Sequence, residues 1–209
     1  MGILIFATVL CRLCFSIDVN CDLAKNARLL IASKDRGTVK LITNTGAQLK
    51  TITELTASFV ARPGDKDKSG DKKTPSGVYF PVKLLSNDEL PDDSYGPMAV
   101  ELNYPNPIDV EKKKTGHSIW IHGTKDNARL GSKTTTHGCI IVDNKSLLFI
   151  IKNLRLHKTP VIILDVKDSI QINVSSSEIT NVYMGDGTSK YKISTGLEKN
   201  KDIVYEVIG

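Results

Sequence analysis

The chain has 209 residues, 40% hydrophobic and 24% charged, with a formal net charge of +5. That composition suits one soluble globular domain with a small appendage, long enough to bury a full core. The basic residues are scattered and aromatics make up only 6%. This argues against nucleic-acid binding, which needs a concentrated basic surface with stacking aromatics, and leaves open attraction to an anionic surface such as a cell wall.

The first predicted element is a leader. The stretch MGILIFATVLCRLCFS supplies an apolar run of roughly a dozen residues, which fits a secretory h-region and is short for a membrane-spanning helix. Small residues Cys14 and Ser16 stand third and first before a cut ahead of Ile17. No Lys or Arg precedes the run and Arg12 interrupts it, so a buried first strand or a mis-assigned start codon is the competing reading. Residues 1–16 are expected to be a signal peptide, leaving no stable membrane span. Its removal leaves Cys21 and Cys139, too far apart in sequence to suggest a disulfide framework.

The body then reads as β-rich. RLLIAS, GTVKLIT and AQLKTIT are short β-prone runs, the last two joined by NTG, where Gly46 can take positive φ. SFVAR, SGVYFPV, MAVELNY and HSIWIHG continue the pattern, separated by Pro-, Gly-, Asp- and Lys-rich loops. In DNKSLLFIIKNL the period changes: Leu147, Leu148, Ile150, Ile151 and Leu154 suggest one helical face, with Asp143 or Asn144 as N-cap. TPVIILD reads as a fully buried strand. Beyond Lys167, IQINV, KYKIS and IVYEVIG are β-prone, with a GDGTS turn.

GDKDKSGDKKT invites comparison with a phosphate loop. A P-loop needs Gly, four residues, then Gly-Lys-Ser/Thr. Here five residues separate Gly64 from Gly70, and Asp71 puts a negative charge where phosphate would lie. The match fails.

Ser118 to Asn144, SIWIHGTKDNARLGSKTTTHGCIIVDN, holds two of the four histidines and a cysteine, with a glycine after each histidine. Three readings compete. A zinc site needs three or four ligands; His122, His137 and Cys139 supply three, but His137 and Cys139 are one residue apart, and His117 and His157 stand away. A plain core is at odds with the polar, flexible THGC before the apolar IIV. A cysteine nucleophile explains more. A thiol is poorly ionised at neutral pH and wants an imidazole to take its proton. His122 ends a β run, a rigid place for a base, and a carbonyl such as that of Gly123 can orient its other nitrogen. Gly138 permits close approach of substrate, and the Gly138 and Cys139 N–H groups can face an oxyanion.

The segment resembles the catalytic motif of L,D-transpeptidases, the YkuD-like domain: a histidine, an intervening loop, then Ser/Thr-His-Gly-Cys, here His122 and Thr136-His137-Gly138-Cys139. The resemblance extends to GDKKTPSGVYFP, YGPMAVELNYP and TGHSIWIHGT, covering roughly residues 28 to 165. It departs in two places. Thirteen residues separate His122 from Thr136, one short of the usual spacing, and Ile141 stands where Arg or Asn is frequent.

The resemblance implies a mainly β fold: a YkuD-like β-sandwich with one or two short helices and a long lid loop, placed between Lys83 and Thr115. It assigns Cys139 as nucleophile, His122 as base and Gly123 as the orienting carbonyl. It puts Gly138, His137 and Thr136 in the oxyanion and substrate region, without cofactor or metal. Arg129, Lys125 and Lys133 are candidates for meeting substrate carboxylates, against the alternative of a solvated loop. Residues 28–165 are expected to form the catalytic domain and 166–209 a β-rich extension. The expected activity is peptidoglycan transpeptidation in the cell envelope, with a periplasmic enzyme drawing on tetrapeptide stems and passing the acyl group to an amine, that of a neighbouring stem or of a wall-anchored protein. Stem trimming as an L,D-carboxypeptidase and a non-catalytic wall-binding module are the alternatives.

Overall fold

Alternation of polar and apolar residues, or its loss where both faces are covered, explains most of the strands. The computed structural model describes residues 16–59, 62–130, 136–198 and 201–209. The expected leader, apart from Ser16, lies outside the described residues, as does Lys133. In chain order the strands begin with β1 (Asp18–Leu23), β2 (Arg28–Ser33), β3 (Thr38–Asn44), β4 (Leu49–Ser58) and β5 (Gly77–Tyr79). Then follow β6 (Pro81–Ser86), β7 (Met98–Leu102), helix α1 (Pro107–Glu111), β8 (Trp120–His122) and β9 (Ile140–Val142). Helix α2 (Asn144–Asn153) leads to β10 (Val161–Leu164), β11 (Ser169–Val174), β12 (Thr180–Gly185), β13 (Lys190–Glu198) and β14 (Lys201–Val207).

Nine strands form one sheet in the order β5-β10-β2-β3-β4-β9-β8-β7-β6, and five form a second, β11-β1-β12-β13-β14. β5 and β6 occupy opposite edges of the large sheet yet only Phe80 separates them. The sheet must therefore curl until its edges approach. Its concave side holds Leu30, Leu41, Tyr79, Val100, Ile121, Ile140 and Val161, closed by Leu147 and Ile150 of α2. The small sheet packs on the outer face through Val19, Cys21, Val182 and Ile193, against Leu29, Ile31, Val78 and Ile162. The result is a mainly β sandwich with two short helices.

The run VIIL shows why the sequence lost its alternation. β10 lies between β2 and β5, with Val161 and Ile163 in the inner core and Ile162 and Leu164 in the outer one. A strand covered on both faces reads as continuous hydrophobe, and each such buried side chain contributes about 1.5–3 kcal/mol. Gly46 takes φ 92° in the β3–β4 turn, as the sequence suggests.

Several readings need correction. β1 and β12 go unread in the sequence, although both alternate strictly: Val19, Cys21 and Leu23 are buried in one, Thr180, Val182 and Met184 in the other. Their polar alternates (Asp18, Asn20 and Asp22 in β1) hide the pattern from a search for apolar runs. SFVAR contributes only Ser58 to a strand, and its Val60 and Ala61 lie outside the described residues. On α2, Leu148 is 49% exposed, because it stands about 100° round the helix from Leu147. The N-cap is Asp143, whose carboxylate accepts from the Ser146 N–H at 2.9 Å; Asn144 is left for another task.

Candidate active site

β8 and β9 run parallel, pairing Ile121 with Ile140 and His122 with Ile141. Ile121 and Ile140 enter the inner core. Alternation then sends Trp120 and His122 of β8, with Cys139 and Ile141, to the opposite face. Cys139 is diagonal to His122 across the ladder, a relation in which side chains about 7–8 Å apart at the backbone reach each other. Parallel pairing thus puts an imidazole and a thiol separated by a loop on one face.

The imidazole is oriented by backbone. His122 Nδ1 lies 2.6 Å from the Gly123 carbonyl oxygen; a carbonyl can only accept, so Nδ1 carries the proton and Nε2 keeps the lone pair. The ring is 2% exposed. Burial drives its pKa down to about 4, against hydrogen bonding to the Gly123 and Tyr95 backbone, with the Arg129 charge adding to the depression. Burial likewise pushes the Cys139 thiol up to about 11, opposed by a Trp120 backbone hydrogen bond and the Lys66 charge. At rest both partners are neutral. Cys139 Sγ donates to the Ser118 carbonyl at 3.5 Å, and Ser118 holds φ 56°, a left-handed conformation uncommon for serine.

Asn144 fixes the orienting carbonyl. Its Oδ1 accepts the Thr124 N–H at 2.9 Å and sits where a Cβ on Gly123 would have to be. Gly96, at φ 73°, closes the same node: a Cβ there would lie 2.5 Å from Asn144 Oδ1 and 2.8 Å from Thr124 N. Glycine is required at both positions so that three backbone segments can meet.

The expected lid is narrower than Lys83–Thr115. That span contains most of β6, all of β7 and α1, because its apolar residues pair into the sheet; the part that meets the site is 93–97. Tyr95 lies 4.8 Å from the His122 ring and 5.4 Å from Trp120, centroid to centroid. Arg129 Nη1 donates to the Ser94 carbonyl at 2.9 Å, and Lys125 pairs with Asp93 at 2.5 Å on the surface. Both cations tether this segment to the loop after β8. Ile141 is fully buried on the same face.

On the other side stands the loop rejected as a phosphate site. Asp71 turns it inward: its carboxylate accepts from Lys66 Nζ at 2.7 Å and from the Asp67, Lys68 and Lys73 N–H groups. Those bonds hold the Asp71 carboxyl far below the usual range despite partial burial. Lys66 is 3% exposed and fills the space a Cβ on Gly116 would take, at 2.9 Å. The Lys73 carbonyl closes on Gly138, where a Cβ would sit 2.6 Å away at φ 124°. Gly138 is therefore demanded by the neighbouring loop. Its N–H donates to Thr136 Oγ1 at 3.1 Å, and that hydroxyl donates to the Cys139 carbonyl at 3.1 Å. Thr136 thus staples the turn, and an oxyanion at the Gly138 N–H would have to displace that bond. His137 is exposed beside the turn.

The sequence model of the YkuD family, the L,D-transpeptidase catalytic domain, matches residues 16–163. The chain belongs to that family. No curated protein matches it at a significant level. Among solved structures this YkuD domain is similar to the helical cell shape determining protein Pgp2 from Campylobacter jejuni, with TM-score 0.64 and 17% identity over 88% of each chain. It is also similar to Bd1075 from Bdellovibrio bacteriovorus, with TM-score 0.58 and 17% identity over 88% of this chain and 94% of that one. At such identity the likeness carries the fold alone. Among the described residues of the YkuD chain no three His, Cys, Asp or Glu side chains group to hold a metal ion, and no helix is long and apolar enough to cross a membrane. Ser118, Asn144 and the Lys66–Asp71 pair were not singled out from sequence as parts of the site. Only tertiary contact gives them meaning, although a polar residue one place beyond a helix N-cap is a faint signal for Asn144.

Proposed function

We propose that this YkuD domain is a cysteine-dependent acyltransferase acting on peptidoglycan stem peptides, exported to the cell envelope and periplasmic. The observation that carries the reading is the pairing of β8 with β9, which puts a neutral His122, proton-bearing at Nδ1, on the same face as the Cys139 thiol. Substrate enters beside the exposed His137. As Cys139 Sγ attacks the carbonyl of an L,D-peptide bond, its proton passes to His122 Nε2. The tetrahedral intermediate collapses, the C–N bond breaks, and the imidazolium hands that proton to the departing D-residue amine. The remaining thioester is then attacked by an acceptor amine, whose proton follows the reverse path and regenerates the thiol. A neutral resting pair suits this scheme, because charge appears only when there is a carbonyl to receive it.

With water in place of the amine the same steps trim a tetrapeptide stem to a tripeptide. Mass spectrometry of purified tetrapeptide stems, incubated with and without an amine acceptor, separates the two outcomes: a cross-linked product for transfer, a tripeptide for hydrolysis. Unchanged tetrapeptides in both arms would overturn the acyl-transfer reading and leave a wall-binding module.

A further inference from the structure

The backbone nitrogen of Ile17 is held at 2.8 Å by Asp168 Oδ1, across 151 positions of sequence. The second carboxylate oxygen, Oδ2, accepts the Asp165 N–H at 2.6 Å, so the β10–β11 turn fixes one oxygen and Ile17 meets the other. Ile17 is 9% exposed, its side chain in the outer core, and its carbonyl accepts the Ser169 N–H at 2.9 Å. The nitrogen borders a cavity of about 570 Å³ between the ends of the two sheets, which Ile17 and Asp168 both line. This carboxylate, partly withdrawn from water, accepts two amide protons: burial raises the Asp168 pKa, with the Ile17 and Asp165 N–H groups and the Lys34 charge opposing. It is the chemistry one would place around an ammonium. The residue it grips is the one that follows Ser16 at the cut read from the leader.

We propose that Asp168 is the receptor for the mature N-terminus: hydrolysis of the Ser16–Ile17 bond creates an α-ammonium on Ile17 that forms a buried ion pair with Asp168. Water adds across the C–N bond, Ser16 leaves as the carboxylate end of the leader, and Ile17 keeps the nitrogen, which is protonated at neutral pH. The reagent is a leader peptidase of the envelope, acting on the extended chain before the fold buries the bond. The proposal rests on the leader reading given above and is independent of the chemistry at Cys139. Maturation then does more than release the protein. It installs a charge that locks the first strand, and so the small sheet, onto the turn after β10.

The ion pair has a pH signature. An α-amino group titrates near 7.7–8.0 when free, and beside Asp168 its folded value rises. Its stabilisation is present below about pH 7.7 and is lost as pH climbs through the raised value. The charged groups around it are Lys34, which binds Asp165 at 3.0 Å, the cavity-lining Lys112, Lys167 and Asp186, and Asp18, the next residue in the chain. A chain that begins one residue earlier carries all of them, so comparing the two forms isolates the ammonium.

The test takes the full chain exported by a bacterial host, and compares it with a chain that begins at Ser16. Intact-mass and N-terminal sequencing should give Ile17 as the first residue. The melting temperature of this form should fall by several degrees more between about pH 7 and pH 10 than that of the Ser16-initiated chain, whose ammonium is displaced by one residue. Asp168→Asn should remove the difference between the two forms. A mature terminus elsewhere, a retained leader, or coincident pH profiles would each overturn the proposal. Turnover on stem peptides, measured in parallel, reports separately on the acyl-transfer reading.

Discussion

The Gly123 carbonyl accepts the Nδ1 proton of His122 at 2.6 Å, and the imidazole is thereby oriented without a carboxylate. A carbonyl dipole fixes the tautomer but adds little to the basicity of a ring that is almost fully buried, so the imidazole rests neutral. Turnover should be lost in Cys139→Ala, by at least about 10³-fold, with stability changed by about 1 kcal/mol since one sulfur atom is removed. His122→Ala should cost about 10²–10⁴-fold in kcat. His137→Ala, altering an exposed ring, should lower turnover while leaving the acid limb of kcat/KM in place. An acid limb that moves in His137→Ala and stays in His122→Ala would reverse the two assignments.

Burial of His122 also makes a statement about stability. Its folded pKa of about 4 lies below an unfolded value near 6.5, so the unfolded chain binds the extra proton between them. The stabilisation is complete above about pH 6.5 and is lost as pH falls towards 4, with an upper limit of about 3 kcal/mol from this group. Urea unfolding at both ends of that range should show a smaller acid loss in His122→Phe than in the wild type. Equal acid losses would mean that the imidazole is not buried neutral.

Asn144 tests whether the carbonyl needs holding. Asn144→Ala frees the Thr124 N–H and empties the node between Gly96 and Gly123. The expected result is a fall in kcat of about 10-fold or more, with KM little changed, because positioning of the base is lost and substrate contacts are not. A change in KM alone would place Asn144 in substrate binding instead.

Asp71 carries the loop on the far side of the thiol. Asp71→Ala leaves Lys66, at 3% exposure, as a buried ammonium without its carboxylate, a change that costs about 3 kcal/mol. The double variant Lys66→Met, Asp71→Ala should recover part of that loss, since replacing both charges removes the unpaired one. Chemical denaturation of the three proteins decides the matter, and a double variant no more stable than the single one would refute the pair as the organiser of the loop.

Catalysis by protein groups alone should survive exhaustive chelation. Activity measured after prolonged dialysis against a strong chelator is expected to match that of the untreated enzyme. Loss with recovery on adding zinc would return His122, His137 and Cys139 to the role of ligands.

The sequence by itself determined the residues that have chemistry to offer and the strands that carry them. His122, Gly123 and Thr136-His137-Gly138-Cys139 stand in one short segment, and β2, β3 and β10 are legible because their apolar periods are strong. Local pattern also narrowed the helix cap to Asp143 or Asn144, and the fold chose Asp143. What tertiary structure alone decided is everything that depends on segments distant in sequence meeting. The parallel register of β8 with β9 sets the thiol diagonal to the imidazole, and no local period encodes a register between strands joined by a loop. The same holds for Gly138, which reads as an opening for substrate until the Lys73 carbonyl is found against it. It holds for β1 as well, whose three buried side chains became a core only when the strands after β10 returned to cover them. Burial is the common physical reason: it sets the pKa of His122 and Cys139, it makes Asp71 indispensable to Lys66, and it exists only once the chain has closed on itself.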